Sequence, residues 1–94
     1  MDLRADVRDS IIELAKRYGI AQVILFGSRA RGDNHERSDI DLAVRGGDVI
    51  RFSLAVDEDV PTLLMFDVVN LDQSVQPELL AAIKKDGVSL YEKV

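Results

Sequence analysis

The chain contains no cysteine, a single histidine and no surplus of basic residues. Without cysteine, disulfides and thiolate chemistry are excluded, which is compatible with a reducing compartment. The lone histidine, His35, lies in a polar segment and reads as a solvated side chain rather than the centre of a metal or acid–base site. No stretch approaches the roughly 20 apolar residues that span a bilayer. The opening Met1-Asp2-Leu3-Arg4-Ala5-Asp6 has neither the basic start nor the apolar run of a signal peptide. A cytoplasmic protein without membrane contact is the expectation. Twelve Lys and Arg stand against 17 Asp and Glu, a formal net charge of -5 with pI near 4.7. An extended nucleic-acid surface needs the opposite balance and is not expected. Repeats, low-complexity segments and interdomain linkers are also missing.

What is present fits one small globular domain over residues 1–94, with 47% hydrophobic and 31% charged residues. So short a chain has little room for a substrate pocket of its own. Contacts with a partner protein, or within a homo-oligomer, are expected to complete it.

Apolar residues at Leu3, Val7, Ile11, Leu14 and Tyr18 have helical spacing, and Gly19 supplies a stop. The span 20–26 is apolar and partly β-branched, which predicts a buried strand. A second strand is predicted over 39–45, with Ile40, Leu42 and Val44 on one face and Asp39 and Asp41 on the other. Asp48 caps a predicted helix to about Asp57, which Pro61 keeps from continuing. Residues 62–70 read as a third strand with Asp67 as its one charge. A last helix begins between Ser74 and Pro77 and ends near Lys84-Lys85, with Gly87 as stop. Val88–Tyr91 reads as an edge strand or a packed tail. The expected fold class is α/β (α+β): a small mixed sheet with helices on one face and the aspartates on the other.

The chemistry gathers in Gly27-Ser28-Arg29-Ala30-Arg31-Gly32, followed by Ser38-Asp39-Ile40-Asp41-Leu42. Residues two apart in a strand share a face, so Asp39 and Asp41 would stand side by side. Two adjacent carboxylates repel unless a proton or cation lies between them. Two Mg²⁺ ions about 3.5–4 Å apart would satisfy such a pair and stabilise both the attacking and leaving oxygens of a phosphoryl or nucleotidyl transfer. A third carboxylate is wanted, and Asp67 is the candidate, with Asp72 in reserve. At Gly27 the backbone N–H groups can approach phosphate closely, Ser28 adds a hydroxyl, and Arg31 offers a bidentate donor for outer phosphates. Arg29, Arg31 and Arg37 make the region locally positive in an acidic chain, which suits a nucleoside triphosphate. Gly27 and Gly32 mimic the opening of a Walker A loop, but Asp33-Asn34 stand where Lys and Ser or Thr belong.

The string from Gly27 to Gly32, five residues, then Ser38-Asp39-Ile40-Asp41-Leu42, resembles the signature of the DNA polymerase β-type nucleotidyltransferases. The short length and the ending Gly87-Val88-Ser89-Leu90-Tyr91-Glu92 resemble the minimal (MNT) branch, which is often paired with a HEPN-domain partner. The resemblance implies a polymerase β-like fold. It implies that Gly27 and Ser28 hold the triphosphate of ATP, with Arg31 and Ser38 beside it. Asp39 and Asp41 would bind both Mg²⁺ ions, and Asp67 would complete the catalytic metal and help deprotonate the acceptor hydroxyl. Some members of the branch act as antitoxins, moving AMP onto a tyrosine of a HEPN toxin. Two alternatives stay open: a module that neutralises a partner by contact alone, and transfer to a small molecule or RNA end.

Overall fold

The spacing of the first apolar residues becomes helix α1, Ala5–Arg17, which buries Val7, Ile11 and Leu14. Leu3 and Tyr18 pack against the core from beyond its ends. Gly19, at φ 68°, turns the chain into strand β1, Gln22–Phe26. Helix α2, Gly27–Arg31, follows directly, so the Gly-Ser pair opens a short helix. Strand β2 spans Ile40–Arg45 and helix α3 Val49–Asp59. Asp48 caps α3 by accepting from the Arg51 N–H at 3.1 Å. Strand β3 is Phe66–Asn70, helix α4 Pro77–Asp86 and strand β4 Val88–Glu92. The structure is a computed structural model that describes residues 1–94.

The sheet order is β3-β2-β1-β4. β2 and β3 run parallel while β1 runs antiparallel to both β2 and β4. A parallel pair needs a crossover connection, and α3 provides it. The terminal segment is therefore a paired edge strand rather than a tail. No helix is long and apolar enough to cross a membrane.

On one face, Val23, Leu25, Ile40, Leu42 and Val44 meet Val7, Ile11 and Leu14 of α1 and Phe52 and Val56 of α3. Each such side chain contributes about 1.5–3 kcal/mol through burial, so most of the core lies here. The mixed sheet with helices is the architecture expected, but the helices are not confined to this face. Leu79 and Ile83, one turn apart on α4, cover Phe26, Ala43, Ile24 and Val69 on the second face. Only the end of that face that carries the aspartates stays open.

Two boundaries differ from the periodic reading, and one helix stop, correctly placed, works by another means. β2 starts at Ile40, so Asp39 precedes it rather than lying within it. β3 starts at Phe66 and not at 62, because the Thr62 hydroxyl accepts from the Leu64 N–H at 3.1 Å and holds a turn after Pro61. Gly87 ends α4 without a left-handed residue, at φ -64°. A Cβ there would strike the Ile83 carbonyl and the Ile24 side chain, so close packing is its role.

Candidate active site

The C-terminal end of β1 and the N-terminal ends of β2 and β3 fall at one edge of the sheet, a consequence of strand direction. There Asp41 stands opposite Phe26 on one side and Asp67 on the other. Facing residues on adjacent strands are about 4.8 Å apart with side chains on the same face. Asp39 lies two residues before Asp41, just outside the strand. None of the three carboxylates forms an ion pair. Burial first, then the negative charges of Asp67 and Asp39, push the Asp41 carboxyl above the usual carboxylate range, and Arg31 alone opposes them.

Gly27 makes the junction of β1 and α2 fit against this cluster. Its φ is 72°, a backbone region that L side chains rarely adopt. A Cβ here would overlap the Asp41 carboxylate oxygen Oδ2. Backbone and carboxylate therefore touch only because residue 27 has no side chain. Ser28 follows, and its carbonyl accepts from the N–H groups of Gly32 at 2.8 Å and Asp33 at 3.1 Å, which closes the short helix.

Arg31 lies at the far end of α2, where its Nε donates to Asp33 at 3.0 Å and its Nη1 to Asp86 of α4 at 3.4 Å. The hydrogen bond to Asp33, then that to Asp86, holds the guanidinium proton more tightly than usual. Ser38 ends a turn: its Oγ accepts from the His35 N–H at 2.8 Å. Asp72 lies elsewhere. Its Oδ2 accepts from the Gly46 N–H at 2.7 Å, beyond the opposite end of β2. β3 ends at Asn70, and Asp72 follows in the turn beyond it, past the opposite end of the strand from Asp67.

Arg29, which the sequence reading counted among the cations of the anion pocket, is the one charged side chain that is buried, at 5% exposure. Its Nε donates to the Ser38 carbonyl at 3.0 Å, its Nη2 to Glu36 at 2.9 Å and its Nη1 to the Asp2 carbonyl at 3.2 Å. No local pattern in the chain marks Arg29 for burial, because its partners are backbone carbonyls. Arg37 has no ion pair.

No three metal-type side chains stand close enough to enclose an ion by themselves. The donor set is nevertheless three unpaired carboxylates, one of them held above its usual proton affinity by burial and by the other two. Mg²⁺ prefers such hard oxygens, keeps several waters, and is commonly held by one or two carboxylates plus substrate phosphates. Asp39, Asp41 and Asp67 thus have the donor chemistry of an open site that Mg²⁺ would fit only with further ligands from water or phosphate. A cavity of about 1120 Å³ does not contain them. It runs under the start of α1 between Leu3, Arg37, Val60, Leu63 and Met65, and reaches only Ile40 of β2.

Known proteins share this fold. The family described as Polymerase beta, Nucleotidyltransferase matches residues 9–94. No curated protein sequence matches the chain significantly. Among solved structures, a toxin–antitoxin crystallised with AMP-PNP is 27% identical, covering 92% of this chain and 73% of that one, with a TM-score of 0.70. A mutant of the toxin–antitoxin MntA-HpeT is 25% identical over 92% of this chain and 73% of that one, with a TM-score of 0.69. A structure described as that of a minimal nucleotidyltransferase is 29% identical over 86% of both chains, with a TM-score of 0.66. With the family pattern running from α1 through β4, the chain belongs to the polymerase beta nucleotidyltransferase family.

Proposed function

We propose that residues 1–94 act as one Mg²⁺-dependent domain that transfers AMP from ATP to a tyrosine hydroxyl of a HEPN-domain partner, as an antitoxin. The observation that carries this reading is Asp41 seated between Gly27 and Asp67 at the open end of the sheet. Similarity to the toxin–antitoxin solved with AMP-PNP supports both the nucleotide and the partner. We assign its action to the cytoplasm, where nucleotide and Mg²⁺ are at hand.

In this reading Gly27 and Ser28 hold the triphosphate, with Ser38 at its edge. Arg31 leaves Asp33 and Asp86 to neutralise the outer phosphates. Asp39, Asp41 and Asp67 would hold two Mg²⁺ ions, which supply charge neutralisation at the α-phosphate and the departing pyrophosphate. The acceptor oxygen attacks the α-phosphorus, its bond to the bridging oxygen of pyrophosphate breaks, and Asp67 takes the hydroxyl proton. The products are AMP-tyrosine and pyrophosphate.

The test is label transfer in extract containing the partner, with ATP labelled at the α or the γ position. Label from the α position only, on a discrete protein, and lost with Asp39→Asn plus Asp41→Asn, is the expected result. Label retained by that double variant would sink the mechanism. Leu63 and Met65, exposed at the mouth of the groove, favour a second reading in which contact alone neutralises the partner. In that case the double variant would still inhibit the partner without ATP.

A further inference from the structure

The geometry points to Arg29 as the positioning residue that holds the Asp39 carboxylate in register with the phosphate-binding turn, and this rests on the nucleotidyltransferase reading above. Two parts of the site come from separate segments. Gly27 and Ser28 sit at the β1–α2 junction, whereas Ser38 and Asp39 end a loop before β2. Asp39 lies just before β2, and on its C-terminal side the Ile40 N–H donates to the Met65 carbonyl at 2.9 Å. Some other contact must keep the residues just ahead of it in place.

Arg29 makes that contact. From α2 its guanidinium donates to the carbonyls of Glu36 and Ser38, the latter joined by a peptide bond to Asp39, and to the carbonyl of Asp2. The backbone returns the bond: the Asp2 N–H donates to the Arg29 carbonyl at 2.8 Å. Asn34 adds a tie to Asp2 Oδ2 at 2.7 Å. The charge of Arg29 has only a distant carboxylate, Asp2, at 3.8 Å, which is 64% exposed. Burying an arginine with so little charge compensation is unfavourable unless its donors are satisfied. Here three neutral carbonyls converging on one planar fork do so, a geometry that lysine's single ammonium cannot span. The guanidinium of Arg29 is buried and turned to these carbonyls. It ties the 36–38 loop to the helix that follows Gly27, so the distance between phosphate turn and metal ligand is set by this side chain.

Supports behind metal ligands are typically worth 10–100-fold in metal affinity or activity. The experiment measures Mn²⁺ binding by electron paramagnetic resonance in the presence of a non-hydrolysable ATP analogue, for wild type, Arg29→Lys and Arg29→Gln. Thermal melts run alongside, and kcat and KM for ATP are taken where transfer is detectable. Both variants are expected to fold, to bind Mn²⁺ at least tenfold more weakly and to lose kcat with little change in KM for ATP. Wild-type Mn²⁺ affinity in either folded variant overturns the inference. So does failure of Arg29→Gln to fold, because the residue then carries the fold rather than the site. If the wild type itself binds no Mn²⁺ with the analogue, the nucleotidyltransferase reading fails first, and the two failures are told apart.

Discussion

Replacing Gly27 by alanine separates two costs that usually arrive together. Residue 27 has φ 72° and a Cβ there would overlap Asp41 Oδ2, whereas Gly19 has φ 68° and open space around it. An L residue in this backbone region costs about 1–2 kcal/mol. Both Gly27→Ala and Gly19→Ala should therefore lose about that much. A chain of this size is stable by about 5–14 kcal/mol, so both still fold. With an m value near 1.5 kcal/mol/M in urea, each midpoint falls by about 1 M. Only at residue 27 must something also move: the Asp41 carboxylate has to retreat by about 1 Å to restore ordinary contact. A misplacement of that size at a reacting centre can cost about 100-fold in rate. Urea melts and AMP-transfer rates on both variants test this. Similar stability losses with transfer lost only in Gly27→Ala is the expected pattern. Transfer within threefold of wild type in Gly27→Ala, or an equal loss in Gly19→Ala, refutes the reasoning.

Other perturbations follow from the same geometry. Asp41 has its carboxyl pushed up by burial and by Asp67 and Asp39, so the folded state gains stability from it in acid and loses that gain as pH rises through its raised value. Asp41→Asn should then raise the Tm of the metal-free protein at pH 7, with the advantage gone below about pH 4, while abolishing transfer. An unchanged or lower Tm at pH 7 contradicts this. Asp86→Asn frees Arg31 from one carboxylate and is expected to lower the KM for ATP about two- to fivefold. A higher KM would show that Asp86 orients Arg31 instead of restraining it. Asp72→Ala removes the cap on the Gly46 N–H and should cost about 1 kcal/mol in urea melts without slowing transfer, whereas Asp67→Asn should slow transfer without that loss.

Much of the fold could be read along the chain because its elements are amphipathic over a single layer. The Val7, Ile11, Leu14 stripe and the Ile40, Leu42, Val44 alternation each face one core, so local period and tertiary burial agree. Agreement fails where a local pattern has two uses. Residues 62–65 are as apolar as a strand, yet Pro61 and the Thr62 turn keep them out of the sheet and leave Leu63 exposed. The second covered face was hidden for a similar reason: Leu79 and Ile83 are only two positions, too few to show what they cover.

For the site, the order of residues alone carried the donor types and their spacing: a Gly-Ser junction, an arginine, and carboxylates two apart. Those are local properties, set by which side chains can approach a phosphate or share a metal. The choice between Asp67 and Asp72 was not local. It depends on β3 running parallel to β2, which sets Asp67 against Asp41 and carries Asp72 to the other end of the sheet. The inward turn of Arg29 likewise has no pattern in the chain, because its three acceptors are backbone carbonyls, present at every residue and brought together only by folding.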